Sequence, residues 1–587
     1  MALSAAQIAQ QKKQAEEMFF EGPEKLGFAK QLFFGQIRAD HVLPYPVLPP
    51  QDKAIVDDAV AKLRKFCDEQ IDAAEIDRIA DIPRSVIDGL GELGVLGMTA
   101  PKSFGGMGFS QQQYCKALEV IGGHCSSTAV FVNAHGSIGI RALVLFGTKE
   151  QQAKWLPGLV NGSKLAAFAL TEEKAGSDAG NVQTMATPTD DGQAFILNGT
   201  KRYITNGGIA DVLTVMARTP VPGSSETKVT AFLVTPDMPG FKVVEPRMPK
   251  CGIRGTATAW LAFENMRVPK ENILGQMGKG LRVALTVLDF GRTTFGATCT
   301  GAAKTCVRAA TKHAKERVQF QQPLAEFELV KKKIAFMAAH AFAMEAMTTL
   351  CAHLIDSGDH DYMLETAILK VFATEHLWTI VNDTIQIFGG QGYFSNEPYE
   401  RMMRDARINT IGEGANEVLK AFVAVVGCRG PGMQLDAARK SPFKHRSKLM
   451  QVGWEQTGGR WSLPDLPVQH ASLRGPAKVI SRHVKQLGLA LPWLFLRAGS
   501  EERFVQSQYM HERLADIAID LYASACTISR LDHLLARGNG DARQAKADLT
   551  AGQYFLKLAD RRIRRNFEAL KDNDDAATTE CANAALG

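Results

Sequence analysis

The chain has 587 residues, which is too long for one hydrophobic core, since single cores stop growing near about 250–300 residues. Its composition, 45% hydrophobic and 22% charged, excludes a disordered or collagen-like chain. The 68 basic residues are nearly balanced by 62 acidic ones, so a net charge of +6 does not indicate a nucleic-acid partner. The longest uninterrupted apolar stretches are shorter than the roughly 20 residues that a membrane-spanning helix needs.

The first twenty residues include Glu16 and Glu17, no arginine and no apolar block. Secretory signals need that block, and transit peptides are rich in arginine and poor in acids. We therefore expect a bacterial-type cytoplasmic protein or a processed form, which in a eukaryote would belong to the mitochondrial matrix or inner membrane. The ten cysteines contain no CxxC pair and no close histidine pair occurs, which predicts free thiols and no metal site.

In chain order, the first 430 residues predict a helical block, a β block and a second helical block. An N-terminal arm, 1–50, ends in a proline-rich break, and apolar residues then recur at helical spacing over 51–165. Short β-branched and aromatic runs bounded by Gly, Pro and Asn predict strands over 166–275. Long helical patterns return over 276–430 and predict a helical bundle.

The last part of the chain, 431–587, predicts a linker followed by an additional helical domain. Gly, Pro and basic residues are concentrated in Gly427–Gly475, which favours a linker or a partly ordered segment. Helical periodicity resumes from Pro476 to about Leu570. The expected fold class is therefore α+β, with a β-barrel or sandwich domain between helical domains.

Two motifs in the β block could hold a polar ring. ALTEEKAGSD occupies Ala169–Asp178, and LNGTKRYITNG occupies Leu197–Gly207. Turn chemistry alone would also explain their Gly, Ser and Asp residues. Together, in this order and spacing, they resemble the flavin-binding segments of acyl-CoA dehydrogenases. The resemblance implies that FAD is contacted by Phe168, Leu170, Thr171, Gly176, Ser177, Tyr203, Ile204 and Thr205.

Two segments of the second helical block add to this resemblance. ERVQF with PLAEF, over Glu316–Phe327, resembles the family element whose arginine, here Arg317, reaches the FAD pyrophosphate of a neighbouring subunit. A planar guanidinium suits phosphate because it binds bidentately. QIFGGQGY, over Gln386–Tyr393, resembles the segment that binds the adenosine half of FAD across a dimer contact. The resemblance implies cofactor contacts from Arg317, Phe320, Phe327, Gln386, Gly389, Gly390 and Glu417.

A third segment, RDAR followed by IGEGANEVL, resembles the family element that carries the catalytic base and implies that role for Glu413. Some members place the base at a position that matches Gly291, which has no side chain here. Three positions depart from the family: Glu328 replaces the more common glutamine, Ala415 the usual threonine and Gly412 the usual aromatic residue. Loss of that ring would widen the pocket near the thioester, so the preferred length among long chains stays open. The implied substrate contacts are Ser177, Arg292 and Gly414.

The implied reaction is the α,β-dehydrogenation of an acyl-CoA to a trans-2-enoyl-CoA. A carboxylate with an ordinary pKa of about 4.3 is a weak base for an α-proton, and burial in apolar surroundings raises such a pKa. By the resemblance, the ribityl 2′-hydroxyl of FAD and the backbone N–H of Glu413 hold the thioester oxygen. The flavin supplies the redox chemistry, and the protein supplies alignment.

The resemblance covers nearly the whole chain and is strongest to the very-long-chain branch of the family. FAKQLFFG (Phe28–Gly35), AHGSIG (Ala134–Gly139) and ERLADIAIDLY (Glu512–Tyr522) resemble segments of that branch, including its extra C-terminal domain. The branch implies long or very-long-chain substrates in fatty acid β-oxidation, a homodimer, and electron-transferring flavoprotein as acceptor. An acyl-CoA oxidase and a non-enzymatic flavin-binding assembly factor stay open as alternatives, as does a branched substrate.

Basic residues also cluster in the last third of the chain. With the apolar residues Ile480, Val484, Leu487 and Trp493, they suit peripheral binding to an anionic membrane through 439–497. An amphipathic helix packed on the core explains the pattern equally well. The basic residues are Arg439, Lys440, Lys444, His445, Arg446 and Lys448, then Lys478, Arg482 and Lys485 on one helical face.

Overall fold

The computed structural model describes residues 26–358, 361–440, 463–537 and 542–587. Capping boxes start two helices of the first helical block: the Ser110 and Thr148 hydroxyls accept the N–H of Gln113 and Gln151, whose side chains accept in return. The helices before the sheet are α1 (Phe28–Leu32), α2 (Pro50–Gln70), α3 (Ala73–Ile79), α4 (Arg84–Glu92), α5 (Gln111–His124), α6 (Ser126–Val132), a π-helix (Asn133–Ile140), α7 (Arg141–Phe146) and α8 (Lys149–Val160).

The predicted β block forms one eight-stranded sheet in the order β6–β7–β3–β2–β4–β5–β8, with β1 pairing parallel to β4. Most other pairings are antiparallel, and the apolar residues of the strands form its buried core. The strands are β1 (Ala166–Ala169), β2 (Met185–Pro188), β3 (Ala194–Ile204), β4 (Val212–Pro220), β5 (Thr227–Val234), β6 (Phe241–Glu245), β7 (Ala259–Pro269) and β8 (Ile273–Leu274).

Among the described residues after the sheet, helices dominate, as predicted, and a short hairpin is formed by β9 (Val318–Gln319) and β10 (Gln322–Pro323). These helices are α9 (Gly280–Glu316), α10 (Glu328–Ser357), α11 (Met363–Phe388), α12 (Gly390–Tyr393), α13 (Tyr399–Arg407), α14 (Asn416–Lys440), α15 (Arg474–Ala498), α16 (Glu501–Gln506), α17 (Gln508–Arg537), α18 (Ala542–Ala569) and α19 (Asp575–Leu586).

The described residues divide into two compact units, and each draws on separate stretches of the chain. The first unit contains Leu48–Val330 and Ala373–Gly414. The second contains the described part of Pro23–Val47 with Lys331–Phe372 and Ala415–Gly587. The sheet lies in the first unit, whereas α14 to α19 lie in the second.

The linker predicted over Gly427–Gly475 is wrong in its first part, because α14 continues to Lys440. A Cβ atom at Gly427 would lie 2.3 Å from the ring of Phe33, and one at Gly430 would lie 2.4 Å from the ring of Phe34. The glycines therefore admit two aromatic side chains of the second unit, and their frequency reflects close packing. Lys444, His445, Arg446 and Lys448 lie outside the described residues.

Two helical stretches of the described residues have the length and composition of a membrane span, Ser126–Phe146 and Glu328–Ser357. In their most apolar windows, 67% and 72% of the residues are buried inside the protein. Core helices meet the same test of length and composition, so these stretches are weak evidence for a membrane span.

Glu365 of α11 is a buried carboxylate of the second unit, and its Oε1 atom accepts the N–H of Ala29 at 2.7 Å. Burial raises the pKa of Glu365 from 4.5 to about 7. The folded state therefore binds an extra proton between these values, and its stability falls as the pH rises through that window. We expect Glu365→Gln to raise the thermal midpoint more at pH 8 than at pH 5, measured by circular dichroism. Equal changes at both pH values would contradict this expectation.

Candidate active site

Glu413 lies in the loop between a 3-10 turn, Ile408–Thr410, and the start of α14, and its side chain is half-buried. Its backbone is left-handed, with φ of 57°, and Gly414 follows with φ of 98°. This conformation is uncommon for a residue with a Cβ atom and costs on the order of 1 kcal/mol or more. Such residues concentrate at functional sites, where the surrounding structure holds them in place.

The carboxylate of Glu413 lies against Gly291 of α9. A Cβ atom built on Gly291 would lie 2.9 Å from Glu413 Oε2, 3.4 Å from Oε1 and 3.3 Å from Cγ1 of Ile138. The two positions at which the resemblance places a base are therefore in contact. The missing side chain of Gly291 leaves the space that the Glu413 carboxylate occupies.

Two polar side chains of the first unit hold the Glu413 loop. Nδ2 of Asn133 donates to Oε1 of Glu413 at 3.4 Å. Nε of Arg292 donates to the backbone carbonyl of Glu413 at 3.4 Å, and its Nη1 pairs with Asp289 at 3.1 Å. Because Arg292 is buried and bonded in this way, its position supports the loop, and its predicted contact with substrate stays a prediction.

Replacing Gly291 by alanine is expected to displace the Glu413 carboxylate, because 2.9 Å is shorter than an ordinary Cβ contact. A misplacement of about 1 Å in a reacting group costs up to about 100-fold in rate, so we expect kcat to fall about 10- to 100-fold with FAD retained. Gly412→Ala is the matched control, since its Cβ would meet only the Ile408 carbonyl at 3.6 Å. Wild-type turnover by the Gly291 variant would contradict the assigned geometry.

The two flavin-like motifs are brought side by side at one end of β1 and β3. The N–H of Arg202 donates to the carbonyl of Thr171 at 2.9 Å. Lys201 is fully buried, and its Nζ donates to the carbonyl of Leu170 at 3.0 Å and to Oε1 of Glu172 at 2.7 Å. This ion pair therefore fixes the backbone of both motifs.

Burial and the opposite charge of the partner act in opposite directions on the pKa of each member of this ion pair. Burial lowers the pKa of Lys201 to about 8, although the carboxylate of Glu172 favours its charged form. Burial would raise the pKa of Glu172, but Lys201 and hydrogen bonds from Thr184 and Gln183 outweigh it, so this pKa is lowered. Glu172 therefore remains ionised beside Lys201.

The residues predicted to contact the flavin ring lie around this ion pair, and they suit a ring with one polar edge. Phe168, Leu170 and Thr171 are half-buried, whereas Gly176 and Ser177 are exposed. Tyr203 has a left-handed backbone, with φ of 61°, and its side chain is 58% exposed. An exposed aromatic face beside hydroxyl groups fits the isoalloxazine ring of FAD. Thr205 is half-buried, and Ile204 is buried and packs in the sheet core.

The residues predicted to hold the rest of FAD are mostly exposed, and they belong to both units. The side chain of Phe320, in the β9–β10 turn, is 89% exposed, and its ring meets that of Phe327 edge-on at 6.2 Å. Gly389 adopts φ of 63° and ψ of −140°, a conformation open only to glycine. Arg317, Gln386, Gly389 and Gly390 are exposed in the first unit, and Glu417 is exposed in the second.

One helical segment of the first unit connects the base to the flavin motifs. Nδ2 of Asn206 donates to the Phe131 carbonyl at 3.1 Å, and the N–H of Ala166 in β1 donates to Nδ1 of His135 at 3.0 Å. Burial lowers the pKa of His135 to about 4, so the ring is neutral and its Nε2 donates to the Leu159 carbonyl. The same segment carries Asn133, whose side-chain amide contacts the Glu413 carboxylate.

Comparisons with known proteins agree with this arrangement along the chain. Family models match residues 57–163, 167–266 and 278–426 as the N-terminal, middle and C-terminal domains of acyl-CoA dehydrogenase. Residues 471–585 match the ACAD9/ACADV C-terminal domain. The human mitochondrial very long-chain specific acyl-CoA dehydrogenase is 35% identical over 94% of this chain and 85% of its own length. The chain belongs to the acyl-CoA dehydrogenase family.

Solved structures also resemble this acyl-CoA dehydrogenase. A Bacillus anthracis acyl-CoA dehydrogenase complexed with FAD has a TM-score of 0.78 and 28% identity, covering 96% of this chain and 95% of its own. A chain from a structure described as the electron transferring flavoprotein of Acidaminococcus fermentans has a TM-score of 0.61 and 34% identity, covering 66% and 99%. The enzyme is thus a flavin-dependent oxidoreductase that uses FAD and acts on CH–CH bonds of acyl-CoA.

Sequence reasoning missed Asn133 and the pairing of Lys201 with Glu172. Asn133 interrupts an apolar run, Ala129–Val132, and a polar residue in such a run is a weak signal of a buried hydrogen bond. Lys201 is a buried residue inside a partly buried strand, where an unpaired lysine would be costly.

Proposed function

We propose that this enzyme oxidises long-chain or very-long-chain acyl-CoAs to trans-2-enoyl-CoAs in fatty acid β-oxidation, with Glu413 as the base. The observation that carries the proposal is the half-buried Glu413 carboxylate, seated 2.9 Å from the position of a Cβ on Gly291. Glu413 is the carboxylate of the base motif, and the alternative base position has no side chain. The match to the ACAD9/ACADV C-terminal domain supports the choice of long substrates.

In this proposal, Glu413 removes the proton from Cα of the acyl chain as the hydrogen at Cβ leaves with its electron pair. FAD, when bound, would supply the acceptor for that hydride. The backbone N–H of Glu413 donates to the thioester oxygen as it gains charge, and Arg292 holds the same loop through the Glu413 carbonyl. Leu170, Thr171 and Tyr203 would contact the flavin ring.

Anaerobic titration with a ladder of acyl-CoAs tests the substrate class. Loss of visible flavin absorbance reports dehydrogenation directly, without any acceptor. We expect the largest kcat/KM for bleaching with palmitoyl-CoA and longer chains, measured by stopped flow. Faster bleaching by butyryl-CoA than by palmitoyl-CoA would reject the long-chain assignment while leaving the family reaction intact.

We also propose that electrons pass to electron-transferring flavoprotein, the partner that the resemblance implies. Support comes from the similarity to a chain of the Acidaminococcus fermentans structure described as that flavoprotein. Turnover with palmitoyl-CoA should depend on added electron-transferring flavoprotein and should produce little hydrogen peroxide in air. Stoichiometric peroxide without that acceptor would identify an oxidase instead.

The enzyme is further proposed to act as a homodimer. Several large apolar side chains of the first unit are exposed around the residues proposed to hold the FAD phosphates, and exposed apolar groups favour interfaces. In sedimentation equilibrium, Phe320→Ser with Leu329→Ser should shift the mass toward the monomer, whereas the exposed Leu586→Ser should not. A monomeric wild type would reject the proposal. The exposed side chains are Val318, Phe320, Leu329, Tyr393 and Phe394.

Peripheral membrane binding is the last proposal, and it concerns α15. The predicted apolar side of this helix, Ile480, Val484 and Leu487, is buried within the second unit, which favours packing over insertion for its first half. In its second half Leu489, Trp493 and Leu496 are exposed at helical spacing. These three side chains are the apolar surface that could reach a bilayer.

Liposome co-sedimentation tests this surface. Neutralising Lys478, Arg482 and Lys485 to glutamine is expected to reduce binding to anionic vesicles, as is Trp493→Ser. The same charge change at Lys546, Lys557 and Arg561 of α18 is the control. Equal binding by wild type and the α15 variants would reject membrane docking.

A further inference from the structure

Asn133 is a buried amide at the start of the π-helix, and the proposed reaction assigns it no role. Its side chain is 3% exposed, and its Nδ2 donates to Oε1 of Glu413 at 3.4 Å. Single π-helical turns inside helices occur frequently at functional sites because they redirect side chains. The π-helix thus presents this amide to the Glu413 carboxylate.

The groups on either side of the Asn133 amide determine which of its ends faces Glu413. The hydroxyl of Thr294, a fully buried residue of α9, donates to Oδ1 of Asn133 at 2.5 Å and lies 3.0 Å from Oγ of Ser137. An ionised carboxylate only accepts hydrogen bonds, so the end of the amide that faces Glu413 is the nitrogen. The amide oxygen then lies at the Thr294 hydroxyl, which can donate to it.

We propose that Asn133 is a positioning residue for the base. Its amide N–H holds the ionised Glu413 carboxylate over Gly291, and Thr294 keeps the amide in the orientation that makes this possible. The inference rests on the proposed role of Glu413. The family motif identifies the carboxylate, and the hydrogen bond from Asn133 adds a reason why that carboxylate has its position.

The hydrogen bond from Asn133 should affect the pH dependence of the reaction, which a residue with only a structural role would not change. A hydrogen bond donated to a carboxylate favours its ionised form, which is the form that removes a proton. Other charged or titratable side chains lie near the site, and a substitution at Asn133 alters none of them, so a change in pH dependence reports the amide. They are Arg292, Asp289, Arg141 and Tyr114.

Asn133→Asp is the sharpest variant, because it keeps the size of the side chain and an oxygen for Thr294. It replaces only the N–H donor, and it puts a second carboxylate beside Glu413. We expect the acidic limb of the kcat/KM profile for palmitoyl-CoA to move about one pH unit upward, with about a 10-fold loss at pH 6 that recovers at high pH. FAD content should stay within the range of wild type, whereas the thermal midpoint should be lower at high pH, where the new carboxylate is ionised and buried.

Thr294→Val covers the case in which the aspartate variant fails to fold. It leaves Asn133 intact and removes the hydroxyl that orients the amide, so the acidic limb should move in the same direction by a smaller amount. Thr298→Val is the matched control, since this threonine lies one turn further along α9 and its hydroxyl bonds to the Thr294 carbonyl at 3.0 Å. The control should have the wild-type profile.

An unchanged acidic limb in both the Asn133 and Thr294 variants would overturn the positioning role. This outcome is distinct from a failure of the proposed base. If Glu413→Gln is inactive while the Asn133 variant has a wild-type profile, the base stands and the positioning role falls. If Glu413→Gln retains turnover, the base assignment falls, and the positioning role falls with it.

Discussion

Replacing Glu413 by glutamine is expected to lower the rate of flavin reduction by palmitoyl-CoA by about 10³-fold or more, because the α-proton then has no acceptor. Glutamine keeps the length of the side chain and can still accept from Asn133, so the left-handed loop should persist. The purified variant should remain yellow. The measurement is anaerobic stopped-flow absorbance of the bound flavin, with the ratio of flavin to protein determined in the same sample.

A matched control separates the loss of a base from the loss of a negative charge. Glu271, an exposed carboxylate of the first unit, gives the same change of charge when replaced by glutamine. We expect this variant to reduce its flavin at the wild-type rate. Near-normal reduction by the Glu413 variant would assign the proton to another group, and loss of flavin from that variant would show that the loop had collapsed.

Replacing Lys201 by methionine is expected to give the largest loss of stability, about 3–5 kcal/mol, because it strands a buried carboxylate. In this variant Glu172 would keep the hydrogen bonds from the N–H and the hydroxyl of Thr184, at 3.1 and 2.6 Å. It would lose the ammonium group of Lys201, which balances its charge. Lys201 also binds the carbonyl of Leu170, so the flavin motif should loosen. The expected result is a lower thermal midpoint together with a lower content of FAD.

A second variant shows whether the effect belongs to the ion pair. Lys201→Met combined with Glu172→Gln removes both charges, and we expect it to recover part of the lost stability, since a neutral pair avoids the isolated charge. Thermal unfolding followed by circular dichroism and by flavin fluorescence gives both quantities. If the double variant loses more free energy of unfolding than the two single variants lose together, the ion pair does not explain the loss.

The fold could be predicted, and a candidate base proposed, because the signals for both are local. Periodicity placed the sheet and the helical blocks, and the motif containing Glu413 singled out one carboxylate. The sequence also indicated that Gly291 could not compete as a base. That the two positions touch became evident only in the structure, since they are joined by a tertiary contact and no local pattern records such contacts.

Features that depend on distant packing could not be predicted. Asn133 and Glu413 are 280 positions apart, and an isolated asparagine in an apolar run has no motif to mark it. The glycines at 427 and 430 predict a linker by composition, because composition alone does not distinguish a flexible segment from one in which two side chains approach the backbone closely. In the structure these glycines contact the rings of Phe33 and Phe34, which are almost 400 residues away along the sequence.

The interleaved construction of the second unit has a consequence for how the protein is made. The Ser529 hydroxyl donates to the Val42 carbonyl across 487 positions, and the rings of Phe28 and Tyr522 lie 5.7 Å apart. During translation, the amino-terminal residues must therefore wait for partners that leave the ribosome last, whereas most of the first unit is synthesised early. A premature stop before α17 would leave the apolar face of α1 uncovered, and such a nascent chain should be a target for chaperones and proteases.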